Sequence, residues 1–192
     1  FVLPDGVDAA NLRAFPPATH RADVAAGAGA GAIIFGSDLA DAAPTWDDIA
    51  WLRGETRLPI IVKGLLSAAD ARRVRDHGAD GIILSNHGGR VLDDLVPPMF
   101  ALPAVADAVG GQLPLLLDSG VRRGTDVVKA LALGAQAVLI GRPQLHALAV
   151  AGMAGVAHML HMLRAETELA MAQIGRPTVA AIDAGVLRAR GG

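Results

Sequence analysis

The amino-acid sequence predicts an α/β fold in which buried parallel strands alternate with helices. Four apolar runs recur along the chain, each is followed by a segment of helical character, and each is apolar almost throughout rather than at every second residue. Continuously apolar strands are typical of parallel strands buried on both faces. The runs are LPIIVKG (58–64), DGIILSNHGG (80–89), LPLLLDSG (113–120) and AQAVLIGRP (135–143).

Residues 1–44 are predicted to form a separate region, a flexible loop rich in Ala and Gly. This region contains AAGAGAGA (25–32) and has no sustained helical or strand period. Regular structure is expected to begin at Thr45, which is placed to cap a short helix, with Asp48 completing a weak capping box. Residues 45–192 are therefore predicted to be the folded part of the chain.

The helices between the strands carry start and stop signals. Ser67 precedes AADARRVRDH, Gly78 follows it, and Gly134 ends TDVVKALAL. A last long helix is predicted over roughly 156–174, and we expect it to pack against the outside of the sheet. Its apolar face would consist of Val156, Leu160, Leu163, Thr167, Ala170 and Ile174.

Four strand–helix units with right-handed crossovers are half of an eight-stranded (β/α)8 TIM barrel. A complete barrel needs about 250 residues, and this chain has 192. Two open sheet edges would leave backbone groups unpaired, so we expect a complementary N-terminal half-barrel to close the sheet. Because the chain begins with Phe1 rather than Met, we interpret it as a fragment or processed product supplying the last four units.

Composition excludes several classes of function. The net charge is −2 and no run of Lys or Arg stands out, which argues against nucleic acid as a partner. No N-terminal apolar stretch is long enough to span a bilayer, so no membrane partner is expected. The absence of cysteine excludes disulfides and thiolate metal sites and fits a cytoplasmic location.

Polar residues follow every predicted strand, at the end of a barrel where functional groups lie. Lys63 ends the first strand, and its charge suggests an anionic or electron-rich ligand, with a lysine that reaches solvent as an equal alternative. In SNHGGR (85–90), His87 is placed to accept a proton and Arg90 to bind a carboxylate through two hydrogen bonds. A lone histidine there is otherwise a hydrogen-bonded rim residue, but the adjoining glycines and arginine favour a site.

Two Gly-Arg loops, DSGVRRG (118–124) and IGRP (140–143), follow the last two strands, the usual phosphate-binding location of this fold. Backbone N–H groups and guanidinium charge are expected to converge there. Asp118 is placed to accept hydrogen bonds from the hydroxyls of a sugar-like chain. His158 and His161 are three residues apart on the last helix, but we predict no metal site there.

Four ordered motifs resemble the FMN-dependent 2-hydroxy-acid oxidase/dehydrogenase family, which includes glycolate and lactate oxidases and mandelate dehydrogenases. The resemblance extends over about 45–183. The motifs are LPIIVKGLLSAADA, GADGIILSNHGGR, LPLLLDSGVRRGTDVVKALALGA and AVLIGRP.

This resemblance implies FMN as cofactor and assigns roles to individual residues. Lys63 would stabilise negative charge on the reduced flavin, Ser85 would contact its ring, His87 would be the base and Arg90 would bind the substrate carboxylate. The ribityl chain and phosphate would be held by Asp118, Ser119, Gly120, Val121, Arg122, Gly141 and Arg142.

The implied reaction oxidises an L-2-hydroxy acid to the 2-oxo acid, with oxygen or another acceptor reoxidising the flavin. The family's N-terminal half supplies active-site tyrosines, a second arginine and the aspartate that orients the histidine, so this chain alone is expected to be inactive or weakly active. A homo-oligomer is expected once the barrel is complete. The alternatives are another FMN- or phosphate-binding barrel enzyme and a non-catalytic half-barrel that requires a complementary chain.

Overall fold

The structure, a computed structural model, describes residues 44–188. The chain divides into two compact units, residues 1–45 and 46–192, and only the second is described below. The loop predicted over 1–44 lies, apart from Pro44, outside the described residues.

Four strands and five helices alternate along the described chain, followed by two short 3-10 turns. The elements are α1 (Asp47–Glu55), β1 (Ile61–Leu65), α2 (Ala68–Asp76), β2 (Gly81–Leu84), α3 (Pro98–Val109), β3 (Leu115–Leu117), α4 (Gly124–Ala132), β4 (Ala137–Val138), α5 (Arg142–Gln173) and the turns Val179–Ala181 and Ala184–Val186.

The four strands form one parallel sheet in the order β1-β2-β3-β4, as the sequence predicts. Ile82 and Leu84 of β2 and Leu115 and Leu117 of β3 are at most 2% exposed, and they form the centre of the core with α2 and α3. Because all four strands run the same way, their carboxyl ends meet at one edge of the sheet. That edge carries the polar residues singled out in the sequence.

The two outer strands differ from the prediction that every strand is buried on both faces. All residues of β1 and β4 are exposed or half-buried, and Ile61 is 45% exposed. β1 pairs only with β2, so its other edge has no strand partner among the described residues. An edge strand whose outer side is uncovered is expected when half of a barrel is present.

Helix ends follow the sequence signals at three positions. The Ser67 hydroxyl accepts the Asp70 N–H at 3.1 Å and caps α2, and Gly78 and Gly134 adopt the positive φ angles that end helices. α1 begins at Asp47, and Trp46 at its N-cap position forms no side-chain cap bond; capping by Thr45 stays a prediction.

The helix predicted over 156–174 corresponds to the second segment of α5, but α5 also has an earlier segment and packs elsewhere than predicted. α5 starts at Arg142, supported by Pro143 in its first turn, and is interrupted at Ala151 and Gly152, whose backbone angles are not helical. Its main contact is with α4 rather than with the sheet. The predicted face is also inexact, because Leu160 is 51% exposed.

By length and mean hydropathy alone, α5 is long and apolar enough to cross a membrane. One such helix is weak evidence for a span, and two features favour an outer helix of the barrel instead. The break at Gly152 divides it into shorter segments. Its second segment lies against Gly124 of α4, where a Cβ atom would overlap the backbone of Glu166 and Thr167.

Candidate functional site

A polar cleft of about 340 Å³ lies at the carboxyl edge of the sheet. Four cationic side chains and one carboxylate face it, so a negatively charged ligand is favoured there. Every site residue predicted from the sequence lines this cleft except Ser85, which is reached through Lys63. The lining residues predicted from the sequence are Lys63, His87, Arg90, Asp118, Ser119, Gly120, Val121, Arg122, Gly141 and Arg142.

Lys63 and Asp118 form an ion pair across the cleft floor, with Nζ and Oδ2 3.0 Å apart. Lys63 Nζ also donates to Ser85 Oγ at 2.8 Å, and Ser85 is only 2% exposed. The carboxylate of Asp118 therefore satisfies the lysine charge that the sequence alone attributed to a bound ligand or to solvent. This pair links the ends of β1 and β3.

Several groups act on the pKa of Asp118. Burial raises it, but hydrogen bonds from Ser119, Ser85 and Lys63, together with the lysine charge, outweigh burial and hold the pKa below its usual range. Asp118 is therefore ionised at neutral pH. Its carboxylate acts as a hydrogen-bond acceptor in the cleft and not as a proton donor.

His87 lies on a tight loop between β2 and α3 and has φ of +56°. A non-glycine residue in this left-handed region costs about 1–3 kcal/mol unless its surroundings hold it. The His87 N–H donates to Ser85 Oγ at 3.0 Å, and the Gly89 N–H donates to Asn86 Oδ1 at 3.1 Å. The imidazole is exposed, and no hydrogen bond to its ring nitrogens is present within residues 44–188.

The guanidinium groups at the cleft differ in their partners. Within the described part of the chain, those of Arg90 and Arg122 form no ion pair, and both line the cleft. Arg142 Nη1 donates to the carbonyl oxygen of Gly88 at 2.8 Å. Arg142 thus connects the start of α5 to the His87 loop, and it also lines the cleft.

The sequence predicts that backbone amides at the start of α4 converge on the cleft, but in the structure they do not. Asp126 Oδ2 accepts the N–H groups of Arg122 and Arg123, at 3.1 and 3.0 Å, and Glu166 Oε2 accepts that of Gly124 at 2.9 Å. Carboxylates of the chain itself therefore cap this helix. An anion in the cleft would meet the Arg122 side chain and the start of α5 instead.

The predicted residue Val121 is buried, at 4% exposed, and its side chain belongs to the core. Only its backbone is positioned to contribute to a ligand site. The sequence did not predict part of the apolar wall of the cleft, nor the hydrogen bonds that hold Gly88. The additional lining residues are Gly88, Leu139, Ile140, Pro143 and Leu145. The apolar run that continues past Val138 into IGRP was the available signal for this wall.

A larger groove of about 500 Å³ lies along α5, away from the strand ends. Apolar side chains of α5 line it together with five charged or histidine side chains, which are Arg122, Arg123, His146, His158 and Glu166. Charged and polar groups from different strands do not meet there, so we place the functional site in the smaller cleft. No group of three potential metal ligands lies within residues 44–188.

The sequence profile described as "FMN-dependent dehydrogenase" matches residues 1–189 of this chain. Among curated proteins, the chain is 45% identical over 192 residues to an L-lactate oxidase of Nostoc sp., covering 97% of this chain and 50% of that protein. It is 53% identical over 151 residues to a peroxisomal (S)-2-hydroxyacid oxidase of Arabidopsis thaliana, covering 79% of this chain and 42% of that protein.

Two solved structures of mandelate oxidases are also similar to this chain. A mandelate oxidase with benzoyl-formic acid superimposes with a TM-score of 0.70 and 47% identity, over 72% of this chain and 42% of that one. A mandelate oxidase variant with (S)-mandelic acid gives a TM-score of 0.71 and 48% identity, over 73% and 42%. The chain thus spans about half the length of the relatives it matches, and its fold is part of a TIM barrel.

Proposed function

Because the chain belongs to the FMN-dependent dehydrogenase family, we propose that it supplies the catalytic half of an enzyme that oxidises an L-2-hydroxy acid to the 2-oxo acid. One observation carries the proposal. Groups from all four strand ends, including Lys63, His87, Asp118 and Arg142, face one cleft. A structural role for these residues would not require them to meet.

The cleft suits FMN, the cofactor of the family. Lys63, Arg90, Arg122 and Arg142 face it against the single carboxylate of Asp118, a donor set that matches a phosphate dianion and a ring that becomes more negative on reduction. A Cβ atom at Gly141 would meet nothing within 4 Å, which leaves room beside the arginines. We propose that Arg122 and Arg142 hold the phosphate, that Asp118 holds a ribityl hydroxyl, and that Lys63, itself held by Ser85, contacts the flavin ring.

His87 and Arg90 are the proposed substrate residues. Arg90 binds the carboxylate and thereby fixes the hydroxyl-bearing carbon near His87. His87 removes a proton from the hydroxy acid as a general base, a role that imidazole side chains fill most often in enzymes. FMN, when bound, supplies the acceptor for the two electrons of the oxidation.

A complementary half-barrel is the second part of the proposal. The exposed edge of β1 and the open side of β4 are sites where further strands would close the barrel. Within the described residues, no carboxylate is hydrogen-bonded to the imidazole of His87. We propose that the other half supplies this orienting group, so that full activity requires both halves.

We also propose a compartment and an assembly state. The lack of cysteine supports a cytoplasmic location, whereas the Arabidopsis relative is named peroxisomal. Assembly of the complete barrel into a homo-oligomer is a further expectation. Fractionation and size measurement test these two proposals directly.

Anaerobic flavin spectroscopy tests the proposed reaction. The chain, with the half-barrel that completes it, is loaded with FMN and mixed with glycolate, L-lactate and (S)-mandelate. We expect at least one acid to bleach the oxidised flavin band and to yield the 2-oxo acid, whereas D-lactate serves as the control of opposite configuration. Tight FMN binding without bleaching by any 2-hydroxy acid would reject this reaction in favour of another FMN-dependent one.

A further inference from the structure

The peptide groups of Gly88 are held from both sides by loops of other strands. The Gly88 N–H donates to Ser119 Oγ at 2.9 Å, and the Gly88 carbonyl accepts from Arg142 Nη1 at 2.8 Å. The neighbouring N–H groups of His87 and Gly89 are instead bonded inside the loop. Within the described chain, the backbone of the His87 loop (residues 85–90) is therefore hydrogen-bonded at Gly88 to the residues that follow β3 and β4.

The hydroxyl of Ser119 is fully engaged in this link. Its oxygen accepts the Gly88 N–H, and its one proton is donated to Asp118 Oδ1 at 2.6 Å. Asp118 is in turn fixed by Lys63 at 3.0 Å. Phosphate oxygens only accept hydrogen bonds, so a hydroxyl whose proton is on Asp118 has none to donate to a phosphate.

We propose that Ser119 is a positioning residue that holds the His87 loop through Gly88, and that it is not a ligand of FMN. The proposal rests on the proposed role of His87. It replaces the role that family resemblance implies for this side chain, since the phosphate is held by the neighbouring arginines. Ser119 also connects Gly88, the residue after His87, to the Lys63–Asp118 pair through two successive hydrogen bonds.

The loop needs such a tether because its backbone is in a disfavoured conformation. His87 has φ of +56°, and Ser119 itself has φ of +69°. Both residues lie in the region that favours glycine, so surrounding hydrogen bonds must hold them. Without the tether the loop relaxes, and a displacement of about 1 Å between a base and its substrate can cost about 100-fold in rate.

Two substitutions separate positioning from cofactor binding. Ser119→Gly removes the hydroxyl and suits the positive φ, and Ser119→Ala removes only the hydroxyl. The matched control is Ser67→Ala. Ser67 has the same pair of bonds, accepting the Asp70 N–H at 3.1 Å and donating to Asp70 Oδ2 at 2.9 Å, but it caps α2.

Each variant is prepared with FMN and with the completing half-barrel, and three quantities are measured. They are amide hydrogen exchange at Gly88 relative to Gly89, the dissociation constant of FMN, and the rate of flavin reduction at saturating 2-hydroxy acid. For both Ser119 variants we expect Gly88 exchange and the reduction rate to change by about tenfold, the former faster and the latter slower. We expect the FMN dissociation constant to stay within twofold, and Ser67→Ala to alter none of the three.

Unchanged Gly88 exchange, or FMN binding weakened tenfold with normal reduction, overturns the positioning role. Should the unsubstituted protein bind FMN but reduce it with no 2-hydroxy acid, the proposed function fails. In that case exchange at Gly88 and FMN affinity still decide whether Ser119 holds the loop or the cofactor.

Discussion

Replacing Gly124 by alanine should separate α4 from α5 and loosen the cleft at the same time. An added Cβ would lie 2.7 Å from Glu166 Cβ and closer still to the backbone of Glu166 and Thr167. Real Cβ contacts essentially never fall below 3.0 Å, and backbone atoms cannot rotate away. One helix must therefore move, and the 2.9 Å bond from Gly124 N–H to Glu166 Oε2 weakens or breaks.

Overpacking costs about 1–3 kcal/mol and a lost hydrogen bond about 1 kcal/mol, so Gly124→Ala should lower the free energy of unfolding by about 2–4 kcal/mol. With a slope of about 2 kcal/mol per molar urea, the unfolding midpoint should fall by about 1–2 M. FMN affinity should fall as well, because Arg122 immediately precedes the displaced residues.

Urea unfolding of the FMN-free protein, followed by circular dichroism, measures this effect. Gly54→Ala is the matched control, because Gly54 lies inside α1 with ordinary φ and its Cβ would meet nothing within 4 Å. That change should stabilise the helix by up to about 1 kcal/mol. If Gly124→Ala unfolded within about 0.5 kcal/mol of the unsubstituted protein, the close α4–α5 contact would be refuted.

Three further predictions concern the cleft. His87→Ala should keep FMN bound but slow flavin reduction by about 10²–10⁴-fold, measured by anaerobic stopped flow; normal reduction would reject the base. Arg142→Ala should weaken FMN binding by about 10- to 100-fold, measured by flavin fluorescence, and unchanged affinity would remove Arg142 from the phosphate site. Asp118 has a lowered pKa, so its stabilising contribution is present above its ordinary pKa and is lost as pH falls through the lower folded value. Lys63→Met removes the ion pair and raises that pKa, so acid unfolding should begin at higher pH, and an unchanged acid transition would contradict the pairing.

The parallel sheet and the position of the site were predictable from local patterns. Continuous apolar runs such as GIIL at 81–84 identify strands buried on both faces. The carboxyl ends of parallel strands meet at one edge, which is why Lys63, Asp118 and Arg142 face the same cleft. Ser67 and Gly134 were recognisable because capping depends on residues that are neighbours in sequence.

Links between distant loops were not predictable. Gly88 is bonded to Ser119 and to Arg142, which are 31 and 54 residues away in sequence, and these bonds depend on a left-handed backbone at His87 that no sequence pattern demands. The Glu166 carboxylate that caps α4 was missed for the same reason, because it lies on another helix. Periodicity also missed the first segment of α5, which precedes the break at Gly152.

The central claim is that cations and hydrogen-bonding groups at successive strand ends bind a single FMN molecule. A crystal structure of the completed barrel grown with FMN tests it most directly. We expect the phosphate within hydrogen-bond distance of Arg122 and Arg142, and the flavin ring beside Lys63 with His87 facing it. Density for FMN elsewhere, with Lys63 and Arg142 directed at solvent, would contradict the claim.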